Sequence, residues 1–232
     1  MMELRRAGDR GHAEHGWLDS WHSFSFADYY DPEHTQFRAL RVINEDRVQP
    51  SEGFGMHSHR DMEIISYVLE GTLAHKDSMG NGSVIHPGSV QRMTAGTGVQ
   101  HSEFNDSSST QVHFLQIWFM PNVTGIPPGY EEKYFDDAEK RGTLRLVASS
   151  DGAEGSVKIH ADVKMFAGLL DAAEKVERTI AKDGFVYVHV ARGSVLLNGT
   201  NLHEGDAAML TDESHLLLDQ GDKAEVLVFE LK

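Results

Sequence analysis

Cysteine is absent from all 232 residues. No disulfide framework, thiolate metal site or cysteine nucleophile is therefore available. Long hydrophobic runs are absent too. The apolar stretches are strand-sized, far short of a membrane span. The opening stretch, Met1 to His15, is charged and polar, with no apolar signal core and no cleavage signal. A cytoplasmic location is the simplest expectation. Positive charge is scarce: 21 Lys and Arg stand against 36 Asp and Glu, a formal net charge of −15. Such a surface repels phosphate backbones and anionic membranes, so neither nucleic acid nor a membrane is expected as a direct partner. No Ser-His-Asp arrangement is legible. The glycines from Gly80 to Gly98 precede no Lys-Ser or Lys-Thr at helix-opening spacing, which excludes a phosphate loop.

What remains is a chain of ordinary globular composition, 40% hydrophobic and 25% charged. Its length suits one large β domain or two smaller ones. Most apolar runs are five to eight residues long and bounded by Gly, Asn, Asp or Pro, the pattern of antiparallel β structure. Strands are expected over 39–44, 63–70, 72–76, 89–94 and 112–120, with Asn81-Gly82 as a tight hairpin turn. The segment Pro121 to Gly142 has a different texture. Pro127-Pro128-Gly129 and the charged run Asp136 to Arg141 read as a connector, with room for one helical turn. A second β series follows over 143–148, 156–160, 164–170, 185–191, 194–198, 207–210, 215–218 and 225–230, with turn signals at Asn198-Gly199 and Gly205-Asp206. The two halves share a layout rather than residues.

The chemistry concentrates in the first half. Gly53-Phe54-Gly55-Met56-His57-Ser58-His59 is answered by His101-Ser102-Glu103. In a strand, alternate side chains share a face about 6.6–6.8 Å apart. His57 and His59 therefore point one way, as do His101 and Glu103. Two such pairs on facing strands place three imidazoles and one carboxylate around a single divalent ion. Those donors suit Fe, Mn, Co, Ni, Cu or Zn rather than Ca or Mg. With 14 histidines in the chain, a lone His-x-His pair is a weak motif. The flanking Gly53 and Gly55, the apolar strand from Ile64 to Leu69 and the Met93 to Gly98 run strengthen it. The second half holds His160, His189, His203 and His215 but no His-x-His or His-x-Glu pair.

The stretch Gly53 to Gly71 resembles the first cupin motif, and Pro87 to Glu103 resembles the second as it occurs in pirins. His15 to Pro32, rich in Trp, Phe and Tyr, is similar to the bacterial branch of that family. The resemblance implies an all-β chain of two cupin barrels (double-stranded β-helix, or jelly-roll). It implies an N-terminal metal-binding barrel over 1–130 and a C-terminal barrel without metal ligands over 131–232. Carried over by motif, the metal ligands are His57, His59, His101 and Glu103. Other cupins use the carboxylate at Glu63, which shares the parity of His57 and His59. The pirin pattern favours Glu103 and leaves Glu63 a supporting role.

Bacterial pirins of this type resemble quercetin 2,3-dioxygenases, which open the central ring of a flavonol with O2 and release carbon monoxide. The resemblance thus implies one divalent metal ion, with Fe(II) expected and Mn, Co, Ni, Cu or Zn open. It also implies a small phenolic or flavonol substrate and O2 as co-substrate; two barrels in one chain, each able to bury the other's face, lead to the expectation of a monomer. Glu103 is the expected general base for the 3-hydroxyl proton. Phe54, Met56, Met93, Phe114 and Trp118 are candidates for an aromatic-lined cavity, each with ordinary core packing as its plainer role. Trp17, Trp21, Phe24, Phe26, Tyr29 and Tyr30 are expected to pack over the barrel rather than form a ligand platform. His75 and Asp77, beside the hairpin, are candidates to orient the ligands. The competing reading is a metal- or redox-responsive pirin that binds a regulatory protein partner without catalysis. Another cupin chemistry, isomerisation or decarboxylation of a small oxygenated acid, is the third.

Overall fold

The computed structural model describes residues 1–232. Twelve strands come first: β1 (Met2–Arg5), β2 (Gly11–Glu14), β3 (Leu18–His22), β4 (Leu40–Val48), β5 (Gly53–His59), β6 (Glu63–Glu70), β7 (Leu73–Asp77), β8 (Gly82–Ile85), β9 (Ser89–Thr94), β10 (Val99–Asn105), β11 (Val112–Phe119) and β12 (Gly129–Tyr134). One helical turn follows, α1 (Asp137–Lys140). Then come β13 (Arg145–Ser149), β14 (Val157–Lys158), β15 (Val163–Leu170), β16 (Val176–Thr179), β17 (Phe185–Leu197), β18 (Thr200–His203), β19 (Ala207–Thr211) and β20 (His215–Leu231). The expected all-β class is what the chain adopts, and no helix is long and apolar enough to cross a membrane.

The chain forms two compact units. The first holds Gly11–Tyr134 together with Val157–Ala161, and the second holds Met1–Arg10, Phe135–Ser156 and Asp162–Lys232. In the first unit a seven-stranded sheet, order β12-β9-β6-β11-β4-β3-β2, packs on a four-stranded sheet, order β5-β10-β7-β8. Leu73 and Ile85 of the smaller sheet meet Val48, Val68, Val112 and Phe114 of the larger one in a shared core. The central strand β6 is buried at every position but its last, which explains the near-continuous apolar run Ile64 to Leu69. By contrast β10 alternates: Val99, His101, Glu103 and Asn105 are buried, while Gln100 and Phe104 are exposed. One face of β10 thus points inward and carries polar side chains.

In the second unit β1 pairs with β19, and β17, β20 and β15 form the centre of one antiparallel sheet over a core of Val186, Val188, Val190, Leu210, Val226 and Val228. Asn198 and Gly199 both take left-handed φ, 48° and 81°, and close the two-residue hairpin between β17 and β18 as expected. The expected helical turn is α1, where Asp136 and Glu139 form a reciprocal capping box. The Asn81-Gly82 expectation differs: β8 already begins at Gly82, and the left-handed residue of the β7–β8 turn is Gly80. The Asp77 carboxylate shapes that turn, accepting from the N–H groups of Met79 and Asn81 and from the Asn81 side chain.

Candidate metal centre

Strand β10 organises the site through its neighbours. In antiparallel pairing, directly opposed residues share a face. His101 lies opposite His57 on β5 and opposite Asp77 on β7; Val99 lies opposite His59; Glu103 lies opposite His75. The register therefore brings His57, His59, His75, Asp77, His101 and Glu103 to the same inner face. Between His101 and Glu103 the β5 register slips, so that Phe54, not Gly55, faces Glu103. The slip brings Phe54 to the inner face, while Met56, next to His57, points outward by ordinary alternation and is 56% exposed. Gly53 sits where a Cβ would come within 2.3 Å of the Glu103 carbonyl oxygen and 2.5 Å of the Phe104 Cα. Backbone approach there requires glycine, whereas Gly55 has open space around it.

Three imidazoles converge. Ring centroids lie 4.4 Å apart for His57 and His101, 4.8 Å for His57 and His59, and 4.9 Å for His59 and His101. One ring nitrogen of each falls within 4.8 Å of the others. His101 is 1% exposed, and both of its ring nitrogens lack a hydrogen-bond partner, as does Nε2 of His59. Leaving buried polar atoms unpaired costs kilocalories each, so three together in one place point to a ligand they were built to hold. Nδ1 of His57 lies 2.7 Å from the Gly55 carbonyl oxygen; with the proton there, Nε2 keeps its lone pair for a metal. Burial first, and then the neighbouring imidazoles, lower His59 to about 4 and His101 to about 3. Both are neutral near pH 7, the form that coordinates a cation.

Glu103 is 2% exposed and is held from the opposite sheet. Its Oε1 accepts from Ser66 Oγ at 2.9 Å and its Oε2 from Gln116 Nε2 at 2.6 Å. Ser66 and Gln116 are themselves cross-strand partners on β6 and β11. His75, His101 and Glu103 form a second close group, also within 4.8 Å. His75 is braced by Asp77 Oδ2 at 3.3 Å and Gln91 Nε2 at 3.4 Å. Burial pushes the Asp77 carboxyl up, but its hydrogen bonds from Asn81, His75 and Met79 outweigh that and hold it below the usual range. Glu63 stands in neither group. Its Oε2 accepts from Thr94 Oγ1 at 3.1 Å and from the His160 N–H at 3.0 Å, tying the 157–161 segment into the first unit. The second unit brings together no comparable group of ligand side chains.

His57 and Glu103 open onto a cavity of about 610 Å³. Of the five lining candidates, Phe54 and Trp118 face it; Met93 and Phe114 are fully buried core, and Met56 is turned out to solvent. The N-terminal aromatics divide, and the expectation that they merely cover the barrel is corrected in part. Trp17, Phe26 and Tyr29 are cavity wall, Phe24 is core, Trp21 stacks on His12, and Tyr30 is 74% exposed. The reason is long-range: β2 and β3 extend the large sheet past the site and carry these residues to its mouth. Trp118 packs edge-on against His59 and against Phe26. Asp46, also in the wall, belongs to no recognisable sequence motif. Burial raises its carboxyl to about 7 against a counteracting hydrogen bond from Ser20, with Glu103, Glu45 and Asp19 adding to the rise.

An all-β chain of two antiparallel units, with a buried His/Glu cluster beneath an aromatic cavity in one of them, has the layout of a two-cupin protein. The chain belongs to the pirin family: the Pirin model matches residues 3–119, and the quercetinase C-terminal cupin domain matches residues 146–231. It is 46% identical over 231 residues to a quercetin 2,3-dioxygenase of Escherichia coli K12, covering 100% of this chain and 99% of that protein. It is 42% identical to a putative quercetin 2,3-dioxygenase of Mycobacterium bovis, covering 99% and 95% respectively. The crystal structure of the bacterial pirin YhhW from Escherichia coli in complex with nickel(II) superimposes with a TM-score of 0.95 at 45% identity, covering 100% of this chain and 99% of that one.

Proposed function

We propose that this pirin is a metal-dependent quercetin 2,3-dioxygenase: it opens the central ring of a flavonol with O2 and releases carbon monoxide. The observation that carries the reading is the set of buried, unpartnered imidazole nitrogens of His59 and His101, clustered with His57, which together with Glu103 opens onto an aromatic cavity. We assign His57, His59, His101 and Glu103 as ligands of a single divalent ion. Pairing within a named dioxygenase family and likeness to a nickel-bound relative support that assignment.

The ion, when bound, supplies a Lewis acid that holds the deprotonated substrate oxygen and brings it together with O2. The chain's own residues do the rest. Glu103 takes the 3-hydroxyl proton; a flavonol is electron-rich enough to react with O2 only once that proton is gone. Ser66 and Gln116 fix the carboxylate by hydrogen bonds to both oxygens, so that its remaining lone pairs face the cavity. Phe54, Trp118, Trp17 and Phe26 give the flat substrate apolar faces and displace water.

The test is quercetin turnover in air by protein stripped of metal and then reloaded separately with Fe(II), Mn(II), Co(II), Ni(II), Cu(II) and Zn(II). Loss of the visible flavonol absorbance with release of carbon monoxide, abolished in His57→Ala, is the expected result. It also decides between Fe(II), the ion expected from the sequence, and nickel(II), the ion of the E. coli structure. No turnover with any well-bound ion would overturn the reading and favour the non-enzymatic regulatory role.

A further inference from the structure

The inner face of the seven-stranded sheet carries a polar row where an apolar wall would be expected. Gln116 lies opposite Ser66 on one side and Asn44 on the other, and Asn44 lies opposite His22. One step along, Asp46 lies opposite Ser20. All six are buried. Ser66 and Gln116 are committed to Glu103. Ser20, His22, Asn44 and Asp46 are not among the groups that hold Glu103, yet they line the same cavity. Burying four polar side chains in a barrel wall costs stability unless they meet partners.

Their internal bonds leave acceptors over. Nε2 of His22 meets Ser20 Oγ at 2.8 Å, and the Ser20 hydroxyl donates to Oδ1 of Asp46. That relay fixes the Asp46 carboxyl. The amide oxygen of Asn44, itself 3% exposed as a residue, has no hydrogen-bond partner at all. Asn44 and Asp46 are two apart on β4 and so share the cavity face. Neighbouring strands are about 4.8 Å apart, so β4 and β3 stand about 5 and 10 Å from β11, whose Gln116 holds Glu103. A second aromatic ring of a substrate held at Glu103 reaches that far. A wall of this kind, with the unpaired amide oxygen of Asn44 beside the Asp46 carboxyl, accepts hydrogen bonds from neutral hydroxyls.

We propose that Asn44 and Asp46, braced by Ser20 and His22, form a subsite for the hydroxyl groups of the substrate ring remote from the metal. The site therefore selects polyphenols whose far ring carries hydroxyl donors over flavonols that lack them. This rests on the dioxygenase reading for where the near end of the substrate lies.

The experiment compares quercetin with 3-hydroxyflavone, which lacks the remote hydroxyls. Binding is read by quenching of tryptophan fluorescence in metal-loaded protein under argon, and turnover by kcat/KM in air. Wild type is expected to prefer quercetin at least tenfold in both. Asn44→Leu and Asp46→Asn, both close in volume to the native residues, are each expected to cut that preference by about tenfold. Circular dichroism and metal content identify any variant that has lost its fold or its ion, and the other variant then carries the test. A quercetin preference unchanged in the folded variants overturns the subsite, because a merely structural role would not alter the ratio. If neither flavonol is turned over, the dioxygenase reading falls, and the binding ratio still decides the subsite.

Discussion

Glu103→Gln separates the charge of this side chain from its shape. The carboxylate now accepts from Ser66 Oγ at 2.9 Å and from Gln116 Nε2 at 2.6 Å. Glutamine offers one carbonyl oxygen and one NH2 in the same volume. Its oxygen continues to accept from Gln116, and the Ser66 hydroxyl rotates to accept from the new NH2 group. Both contacts are then met, and the fold loses at most about 3 kcal/mol, about 1.5 for each of two hydrogen bonds weakened from charged to neutral. For a chain of this size that is a fall of less than about 12 °C in the melting temperature of the metal-free protein. The basicity is lost outright. A positioned general base contributes about 10²–10⁴-fold, which is about 3–5 kcal/mol of barrier. The assay is quercetin turnover at metal concentrations high enough to fill the variant's site, with occupancy measured on the same sample. We expect kcat/KM to fall by at least about a hundredfold at full occupancy. Turnover near wild type would refute the base assignment. Unfolding of the variant would refute the claim that the carboxylate is there for chemistry rather than to hold the barrel together.

Three further outcomes are expected. Gly53→Ala forces a Cβ into the Glu103 carbonyl and parts β5 from β10, so it loses several kcal/mol by chemical denaturation and most of its metal, whereas Gly55→Ala, with open space around it, changes neither by a measurable amount. Metal at a hundred times its dissociation constant stabilises the wild type by about 2.7 kcal/mol; in a thermal melt, His101→Ala should lose that gain and His75→Asn should keep most of it. Asp46 has its carboxyl raised from 3.8 to about 7, so between those values the folded chain keeps a proton that the unfolded chain releases, and stability falls as pH rises through that window. The cost at pH 8 is of the order of 4 kcal/mol. In urea titrations Asp46→Asn should therefore gain on the wild type between pH 4 and pH 8; a difference independent of pH would contradict the buried, protonated carboxyl.

Some of this site is legible in the sequence because its geometry is local. Parity along a strand places His57 with His59 and His101 with Glu103, and the structure brings these two pairs face to face. What sequence spacing does not convey is register between strands far apart in the chain. His75 and Asp77 sit beside an apparent surface hairpin, yet pairing of β7 with β10 turns both into the buried face. Asn44-Glu45-Asp46-Arg47 looks like the polar end of a strand; β4 in fact runs on to Val48, because the face it presents at Asn44 and Asp46 is a polar cavity wall. The signal was there as alternation, Asn44 and Asp46 sharing parity with the apolar Val42 and Val48. The bulge that brings Phe54 to face Glu103 is likewise invisible, since it comes from a one-residue slip against β10 rather than from any property of phenylalanine. Crossing of residues 157–161 into the first unit rests on partners far away in the chain: Glu63 accepts from the His160 N–H, Glu131 from the Lys158 N–H, and the Lys158 carbonyl accepts from Arg92.

Two overlapping groups of side chains share His101: one with His57 and His59, the other with His75 and Glu103. Anomalous diffraction from crystals of the metal-loaded protein, collected on either side of the metal's absorption edge, distinguishes them. A single peak is expected, with nitrogens of His57, His59 and His101 and an oxygen of Glu103 at about 2.0–2.2 Å. A peak coordinated by His75, or no ordered peak in the first unit, would contradict the proposed centre and the chemistry built on it.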